Sequence, residues 1–325
     1  MALTVGVLGT GALGRHHVRI LSELEGVELR GIYDPRRELA EELAARHGTV
    51  VAADVDAVLA DAEAVVIAAP TSEHEELARR ALRRGRHVLV EKPMAASLAE
   101  ADRMLGDAGD RVLAVGHVEF YNPAVQRLLD TIAAPRFVEI ERIAPFTPRS
   151  LDVDVILDLM IHDLQIVHAL DPSPVAEVRA LGIAVLSPRV DIANARLQLD
   201  SGCVVNVTAS RVSDQRVRRL RVFGRDSYHS LDYSEQTIKG FRLSPGAGRA
   251  RSIEPADVAV ERAEPLRCEL EAFVARCRGE RVRLVDGAAG RRALETALRV
   301  AAAVEAQLEA GPGEGTTAGA RGAAE

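Results

Sequence analysis

Asp158 and His162 stand four residues apart in the stretch ILDLMIHDLQIVHAL (156–170), with Gln165 close behind. On a helix that spacing stacks carboxylate and imidazole on one face, with the amide beside them. An imidazole that takes a proton near neutrality, oriented by a carboxylate, is the working part of a general base. The rest of the stretch is apolar on almost every side, as in a helix buried all round. Burying an ionisable group without a partner is costly or forces it neutral. Two readings stand at this point: a satisfied Asp–His pair in a core, or the wall of an active site.

A second chemical signature is GTGALG (9–14), a G-x-G-x-x-G that follows an apolar strand pattern and opens a helical one. In that context Gly9 permits the tight turn, Gly11 the close approach of a pyrophosphate, and Gly14 the packing of helix on strand. The helix N-terminus, with Ala12 and Leu13, supplies free N–H groups to the phosphates. Asp34 ends the next strand, twenty residues after Gly14, where an acid binds the ribose hydroxyls. Its charge favours NAD over NADP, although Arg36 and Arg37 nearby soften that preference.

A third is Lys92-Pro93 at the carboxyl end of a buried strand, the edge where parallel sheets bind ligands. Pro93 fixes the chain and aims the ammonium into the crevice. By itself the residue leaves its readings open: a plain surface lysine, or a group that stabilises alkoxide character in a reacting oxygen or acts as the base itself.

The elements that must position these groups are legible in outline. LTVGVLG (3–9), VELRGIYD (27–34), AEAVVIAAP (62–70), RHVLVEKP (86–93) and RVLAVGH (111–117) read as strands. Helical patterns at 13–25, 36–47, 73–84 and 97–107 separate them, which predicts βαβ units and a doubly wound parallel sheet. From about residue 136 the rhythm changes. RFVEIERIA, AEVRALGIAV, DIANARLQLD, CVVNVTASRV and RRLRVFG alternate polar and apolar residues between short turns, as in a mixed or antiparallel sheet. Helical patterns return at 266–278 and 288–309. The expected division is a dinucleotide-binding Rossmann domain over 1–119, an α+β domain over 120–310, and a disordered tail over 311–325 that lacks apolar content.

Bulk properties exclude several function classes. The chain has 325 residues, 47% hydrophobic and 27% charged, with a net charge of −7 and interspersed signs. This is a globular composition without the basic footprint of a nucleic-acid binder. No apolar run reaches the length of a membrane span, and no signal peptide is read at the N-terminus, so a cytoplasmic location is the default expectation. The three cysteines, Cys203, Cys268 and Cys277, are odd in number and far apart, which argues against a disulfide framework. Together with His168 and His229 they form no metal-ligand spacing, and no metal site is read.

The segments APTSEHEELARRALRRGRHVLVEKP (69–93) and EKPMAAS (91–97), Asn122-Pro123 and the Asp158-x-x-x-His162 pattern together resemble the Gfo/Idh/MocA family of sugar oxidoreductases. The resemblance runs over nearly the whole chain. It implies a Rossmann domain followed by an open-faced mixed sheet, through which such proteins form homodimers or homotetramers. It implies Lys92, Asp158 and His162 as catalytic residues and adds Pro70, Thr71, His74, Glu91 and Lys92 to the NAD contacts. Asp158 would orient His162 and stabilise its imidazolium. The segments GHVEFYNPAV (116–125) and PFTPRSLDVDVILDLMIHDLQIV (145–167) are similar to the branch that oxidises UDP-N-acetylglucosamine at C3, associated with lipid A synthesis. Phe120-Tyr121 stand where that branch reads Arg-Phe, so one cationic contact is absent. On this reading Tyr121 and Asn122 hold sugar hydroxyls, while Arg149 and Arg211 meet the diphosphate. The alternatives are a dehydrogenase of a free polyol or sugar, of the inositol or glucose type, and a catalytically silent NAD-binding sensor.

Overall fold

A computed structural model describes residues 2–146, 153–245 and 251–310. The first part of the chain runs β1 (Leu3–Leu8), α1 (Gly14–Glu23), β2 (Val27–Tyr33), α2 (Arg37–His47), α3 (Val55–Asp61), β3 (Ala64–Ile67), α4 (Thr71–Arg83), β4 (His87–Glu91), α5 (Leu98–Ala108) and β5 (Leu113–Gly116). All five strands are parallel, in the order β2-β1-β3-β4-β5. Strands β3 and β5 are buried along their whole length, which explains their unbroken apolar runs: both faces carry helices. The order reverses direction beside β1, so the glycine turn after β1 opens into the crevice at the carboxyl ends of the strands.

A 3₁₀ turn (Val118–Tyr121) leads into α6 (Pro123–Thr131) and β6 (Phe137–Ile143). There follow a π-helical turn (Ile156–Met160) continuous with α7 (Ile161–Leu170), then β7 (Val175–Ile183), β8 (Ile192–Leu199), β9 (Val204–Ser210), β10 (Val217–Phe223), β11 (Ser227–Asp232), β12 (Thr237–Pro245) and β13 (Arg251–Pro255). The chain returns through α8 (Pro265–Cys277) and α9 (Gly287–Glu309). The eight strands form one sheet in the order β13-β12-β11-β10-β6-β9-β8-β7. Only the β6–β9 pair is parallel, so the sheet is mixed. Strand β8 alternates buried and exposed residues, with Ala193, Ala195, Leu197 and Leu199 inward; one face is packed and the other is open.

Several features depart from the linear reading. The 156–170 stretch does not enter as a regular α-helix, because its first five residues form the π turn. Helix α8 packs against the first sheet: Leu266, Leu270, Phe273 and Val274 share one core with Val5, Val7, Val18, Ile20 and Leu21. The segment before α9 also docks on β5, with Val115 N–H donating to Val285 O at 2.9 Å. Strands β11, β12 and β13 have no counterpart in the sequence reading. The tail over 311–325 lies outside the described residues.

Candidate active site

The glycine turn has the geometry its spacing implies. Gly9 has φ +94°, and a Cβ there would lie 2.5 Å from Ala68 O. A Cβ on Gly14 would collide with Gly9 O, so helix and turn can meet only at a glycine. Gly11 faces open space, with only the Arg36 guanidinium 3.4 Å from its hypothetical Cβ. Ala12 and Leu13 are exposed at the rim, and no side chain caps the first turn of α1. The uncapped turn keeps N–H groups for an anion, which fits a dinucleotide diphosphate.

Asp34 is buried at the end of β2 and its carboxylate is saturated. Oδ2 accepts from Thr10 N–H (2.8 Å), Thr10 Oγ1 (3.0 Å) and an Arg36 guanidinium nitrogen (3.2 Å). Oδ1 accepts from Arg36 N–H (2.9 Å) and Arg36 Nε (3.0 Å). Burial pushes the Asp34 carboxyl up, but the hydrogen bonds from Arg36 and Thr10 outweigh it and bring it down to about 2. Across the crevice, Pro70 and Thr71 open α4. His74, one turn in, lies 2.9 Å from both Ala69 O and Pro93 O. It therefore ties the loop after β3 to the Lys92–Pro93 segment, whose peptide bond is cis. Burial depresses the His74 imidazole, and a neutral ring can donate to only one of those carbonyls at a time.

Lys92 reaches from the end of β4 to the π turn. Its Nζ donates to Asp158 Oδ1 at 2.9 Å and to the Asp158 main-chain oxygen at 2.6 Å. The side chain of Asp158 retains 25% of its exposure and that of Lys92 15%, so the pair lines a cleft rather than a core. His162 lies in the first turn of α7, 8% exposed, and its Nδ1 has no hydrogen-bond partner among the described residues. His117, at the end of β5, meets it edge-to-face with ring centroids 5.5 Å apart. Both His117 nitrogens are also unpartnered. Burial, then the Lys92 charge, lowers the His117 imidazole to about 3. Burial, then Lys92 and His117, holds His162 well below its ordinary value. Burial thus favours the neutral form of both rings.

Two expectations change here. Asp158 does not orient His162: among the described residues no hydrogen bond joins them, and the carboxylate is held by Lys92. Lys92 takes both the Asp158 carboxylate and its main-chain oxygen, at the π turn that opens the segment. His162 is also not poised near neutrality, because its surroundings disfavour the imidazolium.

The other side of α7 carries a network the sequence reading missed. Arg142 on β6 holds Asp163 through Nε–Oδ2 (2.7 Å) and a second nitrogen on Oδ1 (2.6 Å), and donates to Glu119 Oε1 at 2.8 Å. Arg218 donates to the same Glu119 oxygen at 3.0 Å, and the Arg142 guanidinium lies 5.1 Å from the Tyr233 ring centre. The only signal was Asp163 itself, an acid in an apolar helix.

Several expected ligand contacts are occupied by the protein. The Asn122 carbonyl accepts from Ala124 N–H at 3.0 Å as the cap of α6, and its amide donates to Tyr233 O at 3.0 Å. The Tyr121 hydroxyl accepts from Val285 N–H at 3.1 Å. Arg211 is buried and donates to Asp191 (2.8 Å), Val153 O (2.9 Å) and Ser187 Oγ (3.1 Å). The Glu91 carboxylate turns inward onto His17 Nε2 at 2.7 Å. Arg149 lies outside the described residues.

Comparison with known proteins agrees with this arrangement. Residues 3–117 match the model of the oxidoreductase family with an NAD-binding Rossmann fold, and 133–228 match the GFO/IDH/MocA C-terminal domain. The UDP-N-acetylglucosamine 3-dehydrogenase of Acidithiobacillus ferrooxidans is 41% identical over 314 residues, covering 94% of this chain and 99% of that one. Its solved structure superposes with a TM-score of 0.88 at 39% identity, over 95% of this chain and 99% of the other. A levoglucosan dehydrogenase in complex with NADH and levoglucosan shares the fold, with a TM-score of 0.82 at 18% identity over 94% and 98% of the two chains. No helix among the described residues is long and apolar enough to cross a membrane. With its glycine turn, its Lys92–Asp158 pair and its two sheets in this order, the chain belongs to the Gfo/Idh/MocA family of oxidoreductases.

Proposed function

We propose that this protein oxidises the C3 hydroxyl of UDP-N-acetylglucosamine to the 3-keto sugar, with NAD as hydride acceptor. The observation that carries the reading is the Lys92–Asp158 contact beside His162, where the parallel sheet meets α7. The end-to-end similarity to a UDP-N-acetylglucosamine 3-dehydrogenase supplies the substrate. Bound at the glycine turn, NAD supplies the acceptor for the hydride that leaves carbon.

The chain's own residues do the rest. Lys92, held by Asp158, presents its ammonium to the reacting oxygen and stabilises its developing negative charge. His162 is kept in its unprotonated form and so accepts the hydroxyl proton without first losing one. Lys92 Nζ donates to two Asp158 oxygens, which leaves the third N–H of the ammonium for the reacting oxygen. Ala12, Leu13, Pro70 and Thr71 border the cofactor crevice, with His74 fixing the loop before α4. Asp34 supports NAD, and Arg36 must swing off it for the ribose hydroxyls to take its place. If Arg36 instead turns to a 2′-phosphate, NADP is used as well, and Arg36→Ala removes that activity alone.

A second reading has one observation in its favour. Arg211 is committed to Asp191, which removes one of two expected diphosphate contacts and suits a free sugar or polyol. NAD reduction followed at 340 nm decides between them. Turnover with UDP-N-acetylglucosamine, reduced in Arg149→Ala, supports the nucleotide sugar; turnover with inositol or glucose alone overturns it.

Residues 1–119 serve as the cofactor unit and 120–310 as the substrate unit in this reading. The open face of the large sheet supports self-association as a dimer or tetramer. Phe137, Phe223, Tyr228 and Phe241 stand in register across it, with successive ring centroids 5.5, 4.8 and 6.3 Å apart. Ile253 beside them is 71% exposed. A cytoplasmic sugar-nucleotide enzyme leading toward lipid A is the setting that matches this chemistry.

A further inference from the structure

Next to Lys92 in the chain, at Glu91, three buried side chains from distant parts of the sequence converge. His17 comes from α1, Glu91 from the end of β4 and Glu269 from α8. One donor atom from each lies within 4.8 Å of the other two. His17 and Glu269 are 0% exposed and Glu91 is 7% exposed. Gly116 leaves the room: a Cβ there would lie 2.9 Å from the Glu91 carboxyl.

The His17–Glu91 contact alone would be an ordinary buried hydrogen bond. Glu269 is what it leaves unexplained. Neither of its carboxylate oxygens has a hydrogen-bond partner among the described residues, and neither does His17 Nδ1. An ionised carboxylate so placed beside a second one is among the most costly groups a protein can bury. Either a cation neutralises the pair or Glu269 keeps its proton. Burial and the charge of Glu91 both push its carboxyl up, which marks the strain without saying what relieves it.

We propose that His17, Glu91 and Glu269 bind a divalent first-row transition ion, with zinc the best match. One imidazole and two carboxylates suit zinc or manganese, with a fourth position for water. Ligand atoms about 2.0–2.1 Å from a tetrahedral ion are about 3.3 Å apart, inside the observed spread. The His17–Glu91 pair, now 2.7 Å apart, opens slightly to admit the ion. The ion is structural: it clamps α8 onto α1 and β4 one residue before Lys92, and touches no reacting atom. This site was not legible in the spacing of the sequence, since its ligands are 74 and 178 positions apart.

The experiment uses the tag-free, full-length protein, stripped with a chelator and given one equivalent of ZnCl₂. Metal per chain is measured after gel filtration, cobalt is substituted to read its visible spectrum, and thermal unfolding is followed with and without zinc. One ion per chain, a tetrahedral or five-coordinate cobalt spectrum and a higher midpoint on loading are expected. Glu269→Gln should weaken zinc binding by about 100-fold or more, while Lys92→Ala should retain it. The inference is overturned if wild-type protein retains no ion, or if Glu269→Gln binds it equally well. A wild type that takes up no zinc when loaded, with Glu269→Gln at least as stable as it, assigns Glu269 as a neutral carboxylic acid instead. None of these readouts depends on the sugar oxidised, so the substrate assignment can fail without touching the site.

Discussion

The two sides of one buried segment are built by opposite rules. On one side of α7, Asp163 is saturated: Arg142 grips both its oxygens, and Glu119 and Arg218 close the network. On the other, His162 Nδ1, both nitrogens of His117 and Gln165 Oε1 have no partner in the described protein. The segment is equally apolar around both, so burial alone cannot account for the difference. A paired buried charge holds elements together, whereas a buried polar atom that no protein group meets is open to a ligand or to water. The difference separates the residues that carry the fold from those proposed to carry the chemistry.

The sharpest way to break this comparison is to remove the groups proposed to carry the chemistry. Lys92→Ala and His162→Ala should each lower turnover by about 10²–10⁴-fold, with the unfolding midpoint close to wild type. A large loss of stability with little loss of rate would move both residues to the structural side. The converse variant is Asp163→Ala, which leaves the Arg142 charge buried beside Glu119 alone. It should cost about 3–5 kcal/mol of stability in urea titrations; a cost below about 1 kcal/mol would remove the distinction.

Acid sharpens the comparison from another direction. His117 is lowered to about 3, His168 to about 4, and His162 well below its ordinary value. Unfolded histidines protonate near 6.5, so below that pH the unfolded state takes up protons that the folded state refuses. Stability is therefore fully present above about 6.5 and is lost as pH falls toward the folded values. The slope is up to about 1.4 kcal/mol per pH unit for each histidine. Denaturant midpoints at pH 7 and pH 5 should show the drop, and a flat profile would contradict the neutral rings. The acid limb of kcat/KM should likewise lie well below 6.5, because His162 stays unprotonated there. The smallest effect belongs to Asn122, assigned here to capping α6. Asn122→Ala should cost about 1 kcal/mol and leave KM for the sugar unchanged; a raised KM would return it to the substrate.

The sequence was most informative where one short segment carries both a position and a chemistry. GTGALG announces a strand, a turn and a helix at once, and the structure has all three. Lys92-Pro93 and the Asp158–His162 pair were each legible as local motifs, and the family resemblance joined them. Their mutual geometry was not, since the π turn at Ile156–Met160 has no signature in an apolar run. Asn122, Tyr121 and Arg211 are engaged by the protein, which went unread for a related reason: a polar side chain near a cleft looks the same in sequence whether it faces a ligand or a protein group distant along the chain. Asn122 meets Tyr233 O and Tyr121 meets Val285 N–H, partners that only the folded chain supplies. Strands β11 to β13 went unread because they carry few apolar residues, with a glycine inside β12 and a proline ending β12 and β13.

Helix α8 has a consequence for how the protein is made. The core that Val5, Val7, Val18 and Leu21 begin is completed by Leu266, Leu270, Phe273 and Val274, near the far end of the chain. During synthesis at about 5–20 residues per second, that face of the first sheet waits on the order of ten seconds for its cover. The nascent first unit is thus a ready client for chaperones. A fragment ending near residue 119 would carry the same bare face permanently, as an aggregation-prone half-protein.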